Sequence, residues 1–253
     1  MPPLARAATV TMVSSDDGDV ARKKRMLCTT SRRAMPTIAR AATATMVSSE
    51  SDGDVARKKR MLCLHGKGGN AASFARGLAP LVDATSNSWD WHFADGTQPE
   101  PNPGGRGWWT LQPGQRTYNA ASLPGLDISM KRVIEAGPWD GLFGFSQGAM
   151  LAALVIAEDG GKPKEERAIK ELAIIVGAAW PTCAAAKLET MPSDVARSLH
   201  VVGERDVINP PAQARRVAEA FGANAQVFEH ERGHIVPMTD DAVATYVKFI
   251  EHL

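Results

Sequence analysis

Residues Asp140-Gly141-Leu142-Phe143-Gly144-Phe145-Ser146-Gln147-Gly148-Ala149-Met150-Leu151 decide the fold. An apolar run with strand character enters the pentapeptide Gly144-Phe145-Ser146-Gln147-Gly148, and an apolar helical run, through Ile156, leaves it. Strand, tight turn and helix in that order hold a serine in strained backbone geometry with its hydroxyl raised above a sheet. Glycines two residues to either side let strand and helix approach without Cβ clashes. By composition alone the pattern Gly-x-Ser-x-Gly is expected about 0.1 times in this chain, so its context carries the weight. The competing reading is a plain strand–helix turn with Ser146 as a helix cap.

Working outward, short apolar runs alternate with helical patterns. Strands are predicted at 61–65, 89–94, 141–145, 172–176, 198–202 and 225–229, and helices at 70–82, 126–135, 147–158, 210–221 and 240–252. Such alternation predicts an α/β fold, a mostly parallel sheet of about six strands with helices on both faces and ligands at the carboxyl ends of the strands. The Pro/Gly-rich stretch 96–125 reads as a long loop with a lid or binding role.

A serine hydroxyl needs a base to take its proton and a carboxylate to orient that base. His234, in Gly233-His234-Ile235-Val236-Pro237 after the last strand, stands where a Ser…Asp…His order puts the base, with His230 as its rival. Asp206, after a buried-strand pattern and before a proline-initiated helix, is preferred as the orienting acid over Glu204. An oxyanion hole requires backbone N–H groups aimed at the developing alkoxide. Gln147 N–H and Lys67 N–H, the latter in the glycine-rich loop His65-Gly66-Lys67-Gly68-Gly69, are the expected donors. His65 is expected to brace that loop. Trp108 and Trp109 are candidates either to wall a substrate pocket or to pin the long loop to the domain.

Five ordered motifs, LCLHGKGGN, the WW and Tyr118 of the long loop, GPWDGLFGFSQGAML, LHVVGERDVINPP and ERGHIVP, together resemble the fungal-type family of serine hydrolases, the FSH domain, over about residues 60–252. The resemblance implies an α/β-hydrolase fold shortened at its N-terminal end, a triad carried by Ser146, Asp206 and His234, and esterase or thioesterase activity on acyl substrates. It also implies kinship with the ovarian cancer-associated gene 2 proteins and with polyketide-releasing thioesterases. Relatives usually have an apolar or aromatic residue where this chain has Lys67, and often Gln where it has Gly69, differences that bear on acyl preference.

The chain has 253 residues, 44% hydrophobic and 23% charged, with 22 Gly and 16 Pro, which excludes a disulfide scaffold, a collagen and a coiled coil. Its charge is polarised. Residues 1–60 hold 12 basic and 6 acidic side chains, whereas 61–253 hold 17 and 22, so a net charge of +1 conceals a domain at −5. Residues 1–28 and 35–63 are near copies of one another. One duplication is too few units for a solenoid. Residues 1–59 are therefore expected to be a duplicated, unfolded leader and 60–253 the hydrolase domain. Arg57-Lys58-Lys59-Arg60 is read as a solvated cluster at the domain edge, without the aromatics that stack bases. An odd count of 3 cysteines points to the cytoplasm, with organelle import or the nucleus as alternatives suggested by the Ala/Arg/Ser-rich leader. A small acyl ester or thioester is the expected partner. No metal, organic cofactor, nucleic acid or membrane span is implied. The alternative functions are a silent scaffold binding an acyl or hormone-like ligand or a protein partner, and nucleic-acid binding through the leader.

Overall fold

Six parallel strands form the sheet at the centre of the domain. The structure, a computed structural model, describes residues 57–252, so the duplicated leader up to residue 56 lies outside the described residues. The main strands are β1 (Lys59–Leu64), β2 (Trp89–Ala94), β5 (Trp139–Phe145), β6 (Ile169–Val176), β7 (Arg197–Gly203) and β8 (Ala225–His230), with β3 (Gln98–Pro99) and β4 (Arg106–Gly107) forming a separate small hairpin. The order across the sheet is β2-β1-β5-β6-β7-β8, and every pairing is parallel. Strands buried on both faces must be apolar on both, and β5 and β6 are near-continuous hydrophobic runs for that reason.

The period-2 alternation of side chains divides the core between the two faces. Leu62, Leu64, Leu142, Ala173 and Ile175 pack with α3 (Leu126–Glu135), α4 (Gln147–Gly160), α5 (Ala185–Glu189) and α6 (Pro211–Ala220). Met61, Cys63, Phe143, Ile174 and Val201 pack with α1 (Ala71–Gly77), α2 (Ala79–Thr85) and α7 (Asp240–Glu251). Helix α4 is buried along nearly its whole length, consistent with a sequence apolar all round.

Several expectations change. The helix predicted over 70–82 is two helices meeting at Leu78, because Pro80 stands in the first turn of α2 and has no N–H to continue α1. The long loop contains β3 and β4, whose two-residue strands are too short to show a period. Strand β1 starts at Lys59, two residues before the predicted Met61. Its charged start is held by the domain: Arg60 N–H donates to Asp140 Oδ2 at 2.7 Å, Arg57 pairs with Asp140 at 3.1 Å, Lys59 pairs with Glu171 at 2.8 Å, and the Arg60 guanidinium lies 4.2 Å from the Trp139 ring centre. Arg57 and Lys58 are exposed, as a solvated cluster at the domain edge requires, while Arg57 and Lys59 are also matched to acids at the amino end of the sheet.

Candidate active site

Ser146 sits between β5 and α4 with φ +53° and ψ −115°, the one non-glycine residue at positive φ among the described residues. That strain persists because its surroundings leave no alternative. A Cβ added at Gly148 would stand 2.0 Å from the Leu64 carbonyl oxygen, and one at Gly144 2.5 Å from the Gly148 carbonyl oxygen. Both glycines of the pentapeptide are thus demanded by backbone contact between α4, β1 and β5. Ser146 N–H donates to Val176 O at 2.9 Å, tying the turn to the end of β6.

His234 arrives from the loop after β8. Its Nε2 lies 2.8 Å from Ser146 Oγ and its Nδ1 2.6 Å from Asp206 Oδ2. A carboxylate only accepts, so Nδ1 carries the proton, Nε2 presents its lone pair, and Ser146 Oγ–H donates to it. Asp206 is 4% exposed, and its second oxygen accepts from Ile208 N–H at 2.9 Å and Asn209 N–H at 2.8 Å. The carboxylate is therefore fixed by the turn that follows β7. The His234 ring also packs on Phe145, with centroids 4.9 Å apart.

Gly177, unmarked in the sequence, is part of this assembly. Its φ is +58°, and a Cβ there would lie 3.3 Å from His234 Nδ1 and Cε1, while its carbonyl accepts from Asn209 Nδ2 at 2.7 Å. No sequence pattern marks it, since it precedes an ordinary Ala-Ala-Trp stretch. The rivals stand elsewhere. Glu204 is exposed, with its backbone N–H on His230 O, and His230, the last residue of β8, accepts at Nδ1 from Arg232 N–H at 3.3 Å.

The first-strand loop faces the same turn. As the first residue of α4, Gln147 has no acceptor for its N–H within the helix, and Lys67 N–H takes no partner among the described residues. The loop is gripped by the small hairpin: Gly68 N–H donates to Arg106 O, and Arg106 N–H to Gly69 O, both at 2.8 Å, while Asn102 Nδ2 donates to Gly68 O at 2.9 Å. His65, buried, receives Gly96 N–H at Nε2 (2.9 Å), so its Nδ1 carries the proton and donates to Gly66 O at 2.7 Å. Burial also pushes its pKa below the ordinary histidine value, keeping the ring neutral.

A cavity of about 330 Å³ opens onto Ser146 and His234. Lys67, Glu100, Gln115, Arg116, Thr117 and Asn209 supply the polar part of its wall, and Leu111, Met150 and Ile208 the apolar part. Lys67 Nζ meets Glu100 Oε2 at 2.9 Å inside it. Trp108 and Trp109, candidates for that wall, are not among its lining residues. Both are fully buried core residues. The side chain of Gln147 holds them, accepting from Trp108 N–H at 2.8 Å and donating to Trp109 O at 2.9 Å, and Trp108 Nε1 donates to His65 O at 2.8 Å. Two adjacent indoles bury more apolar area inside the domain than a polar cavity offers them.

A parallel sheet with a strained serine at the carboxyl end of a central strand and a histidine within hydrogen-bond reach defines a serine-type α/β-hydrolase. The particular family follows from comparison: residues 55–246 match the family model "Serine hydrolase (FSH1)", and the chain belongs to that family. It is 30% identical over 185 residues to "Esterase OVCA2" of Bos taurus, covering 69% of this chain and 79% of that protein. Against the Homo sapiens protein of the same name, it is 32% identical over 163 residues, 60% of this chain and 70% of the other. Among solved structures, esterase PE8 superposes with a TM-score of 0.59 at 22% identity, covering 77% of this chain and 92% of that one, a likeness of fold.

Proposed function

We propose that this serine hydrolase cleaves a carboxylic ester or thioester of a small acyl substrate through an acyl-enzyme on Ser146. The reading rests chiefly on one observation, the hydrogen-bonded series Ser146 Oγ, His234 Nε2, His234 Nδ1 and Asp206 Oδ2, with spacings of 2.8 and 2.6 Å, at the wall of a cavity. Ser146 Oγ attacks the substrate carbonyl while His234 Nε2 takes its proton, and the Asp206 carboxylate stabilises the imidazolium that forms. Collapse of the tetrahedral intermediate expels the alcohol or thiol, which takes the proton from His234. Water then enters, gives a proton to His234 and releases the acid from Ser146 by the same steps in reverse. The N–H groups of Gln147 and Lys67 are the proposed donors to the oxyanion, each worth about 10²–10³ in rate by analogy with other acyl-transfer sites. Similarity to proteins named esterases supports the ester reading.

Fluorophosphonate labelling tests the proposal. The expected outcome is stoichiometric labelling at Ser146, none in Ser146→Ala, and a rate lowered by about 10³-fold or more in His234→Ala. A folded protein that leaves the probe unreacted would end this reading.

A further inference from the structure

Ser146, Asp206 and His234 follow three different strands, β5, β7 and β8, so the spacing between them depends on what ties their loops together. Two ties converge on the end of β6. Ser146 N–H donates to Val176 O at 2.9 Å, and one residue on, the carbonyl of buried Gly177 accepts from Asn209 Nδ2 at 2.7 Å. A carbonyl only accepts, so it is the amide nitrogen of Asn209 that faces it, which fixes the orientation of the side chain. Asn209 N–H in turn donates to Asp206 Oδ1 at 2.8 Å. Asp206 Oδ2 meets His234 Nδ1 at 2.6 Å, and His234 Nε2 meets Ser146 Oγ at 2.8 Å.

These bonds close a ring that runs from Ser146 through Val176 and Gly177 to Asn209, Asp206, His234 and back to Ser146. Asn209 supplies the only side-chain link in it outside the triad. The turn after β7 already orients the carboxylate within its own loop, since Ile208 N–H also donates to Asp206 Oδ1 at 2.9 Å. What the Asn209 amide adds is a hold on the end of β6, where Ser146 is fastened. The amide is placed to keep that hold: Asn209 is 4% exposed, and a buried carbonyl deprived of its donor is costly. Gly177 also faces the pair it helps to space. A Cβ there would stand 3.3 Å from His234 Nδ1 and Cε1 and 3.6 Å from Asp206 Oδ2, so the backbone that Asn209 grips lies against the bond between histidine and acid.

We propose that Asn209 is a positioning residue of the triad, whose amide, through the Gly177 carbonyl, sets where Asp206 holds His234 relative to Ser146. This rests on the hydrolase reading above and adds a residue to it. Asn209→Leu tests it, because leucine keeps the branched shape and the backbone N–H on Asp206 and removes only the amide. With 4-nitrophenyl acetate, kcat/KM is expected to fall at least about tenfold, since a misplacement of about 1 Å can cost about 10² in rate. The same substitution in an Asp206→Asn background is expected to cost about threefold or less, as two residues acting through one another are not additive. In that background residue 206 turns an N–H toward His234 Nδ1, Nε2 holds the proton, and placing the ring no longer makes it a base. A merely structural role, seen as a lower melting temperature and a smaller active fraction, would cost the same in both backgrounds. If Asn209→Leu does not fold, Asn209→Ala, which adds no bulk, replaces it in both. A loss under about threefold in the wild-type background, or equal losses in the two backgrounds, overturns this inference alone. No turnover by wild type, with no fluorophosphonate labelling, overturns the hydrolase reading and this inference with it.

Discussion

Gly148 shows how a single residue type is dictated by its neighbours. The space its Cβ would need is held by the Leu64 carbonyl, 2.0 Å away, and no rotamer relieves a clash with backbone. Gly148→Ala is expected to push α4 away from β1 and cost about 3 kcal/mol or more, read as a fall in the urea midpoint. Gly161→Ala is the control, since φ there is −69° and the nearest atom is Glu158 O at 3.7 Å. Its change should stay within about 1 kcal/mol. Comparable losses in the two variants would mean that close contact is not what selects glycine at 148. The pentapeptide's glycines were readable in the sequence because the turn imposes a fixed spacing. Gly177 was not, because its constraint comes from His234, 57 positions later in the chain, and leaves no local signature.

Between elements, the side chain of Gln147 does more than its position after Ser146 implies. It is the junction between α4 and the long loop, bonding the buried N–H of Trp108 and the buried carbonyl of Trp109. Removing it in Gln147→Ala leaves both backbone groups without partners, at roughly 1–3 kcal/mol each. A melting temperature lower by roughly 5–12 °C is expected in a domain of this size, with a change in tryptophan emission as the indoles loosen. A fall under about 2 °C would mean that other groups or water satisfy those backbone atoms. Since the substitution leaves the 147 N–H in place, its effect on stability can be separated from any effect on the oxyanion. The long loop as a whole read as irregular because its order depends on such distant partners, the hairpin of β3 and β4 included, and not on any period within it.

Across the whole molecule, buried histidine makes stability depend on pH. His200, on β7, is packed against Phe221 with its Nε2 2.9 Å from Ser198 Oγ, and burial pushes its pKa down to about 3. Unfolded, it would protonate near 6.5, so below that pH the unfolded chain binds a proton the folded one refuses. Its stabilising effect is present above pH 6.5 and is lost as pH falls toward 3, at about 1.4 kcal/mol per unit. The urea midpoint of wild type should therefore drop more steeply between pH 7 and pH 5 than that of His200→Gln. Parallel pH dependences would show that His200 titrates normally in the fold. His65, buried and also shifted down, acts in the same direction.

By itself, the sequence determined the alternation of strands and helices, the strand–turn–helix around Ser146, and the chain order in which Asp206 and His234 follow it. Each of these is a local pattern, a period of 2 or 3.6 residues or a fixed spacing around a tight turn, written in neighbouring side chains. Tertiary structure alone decided which loops meet. It put His234 between Ser146 and Asp206, left His230 and Glu204 outside, sank Trp108 and Trp109 into the core, and matched Lys67 to Glu100 while leaving Arg116 without an acid. Those outcomes join residues far apart in the chain, where packing volume and the cost of leaving buried Glu100 unpaired, rather than any local spacing, choose the partner, while Arg116, exposed to water, needs none.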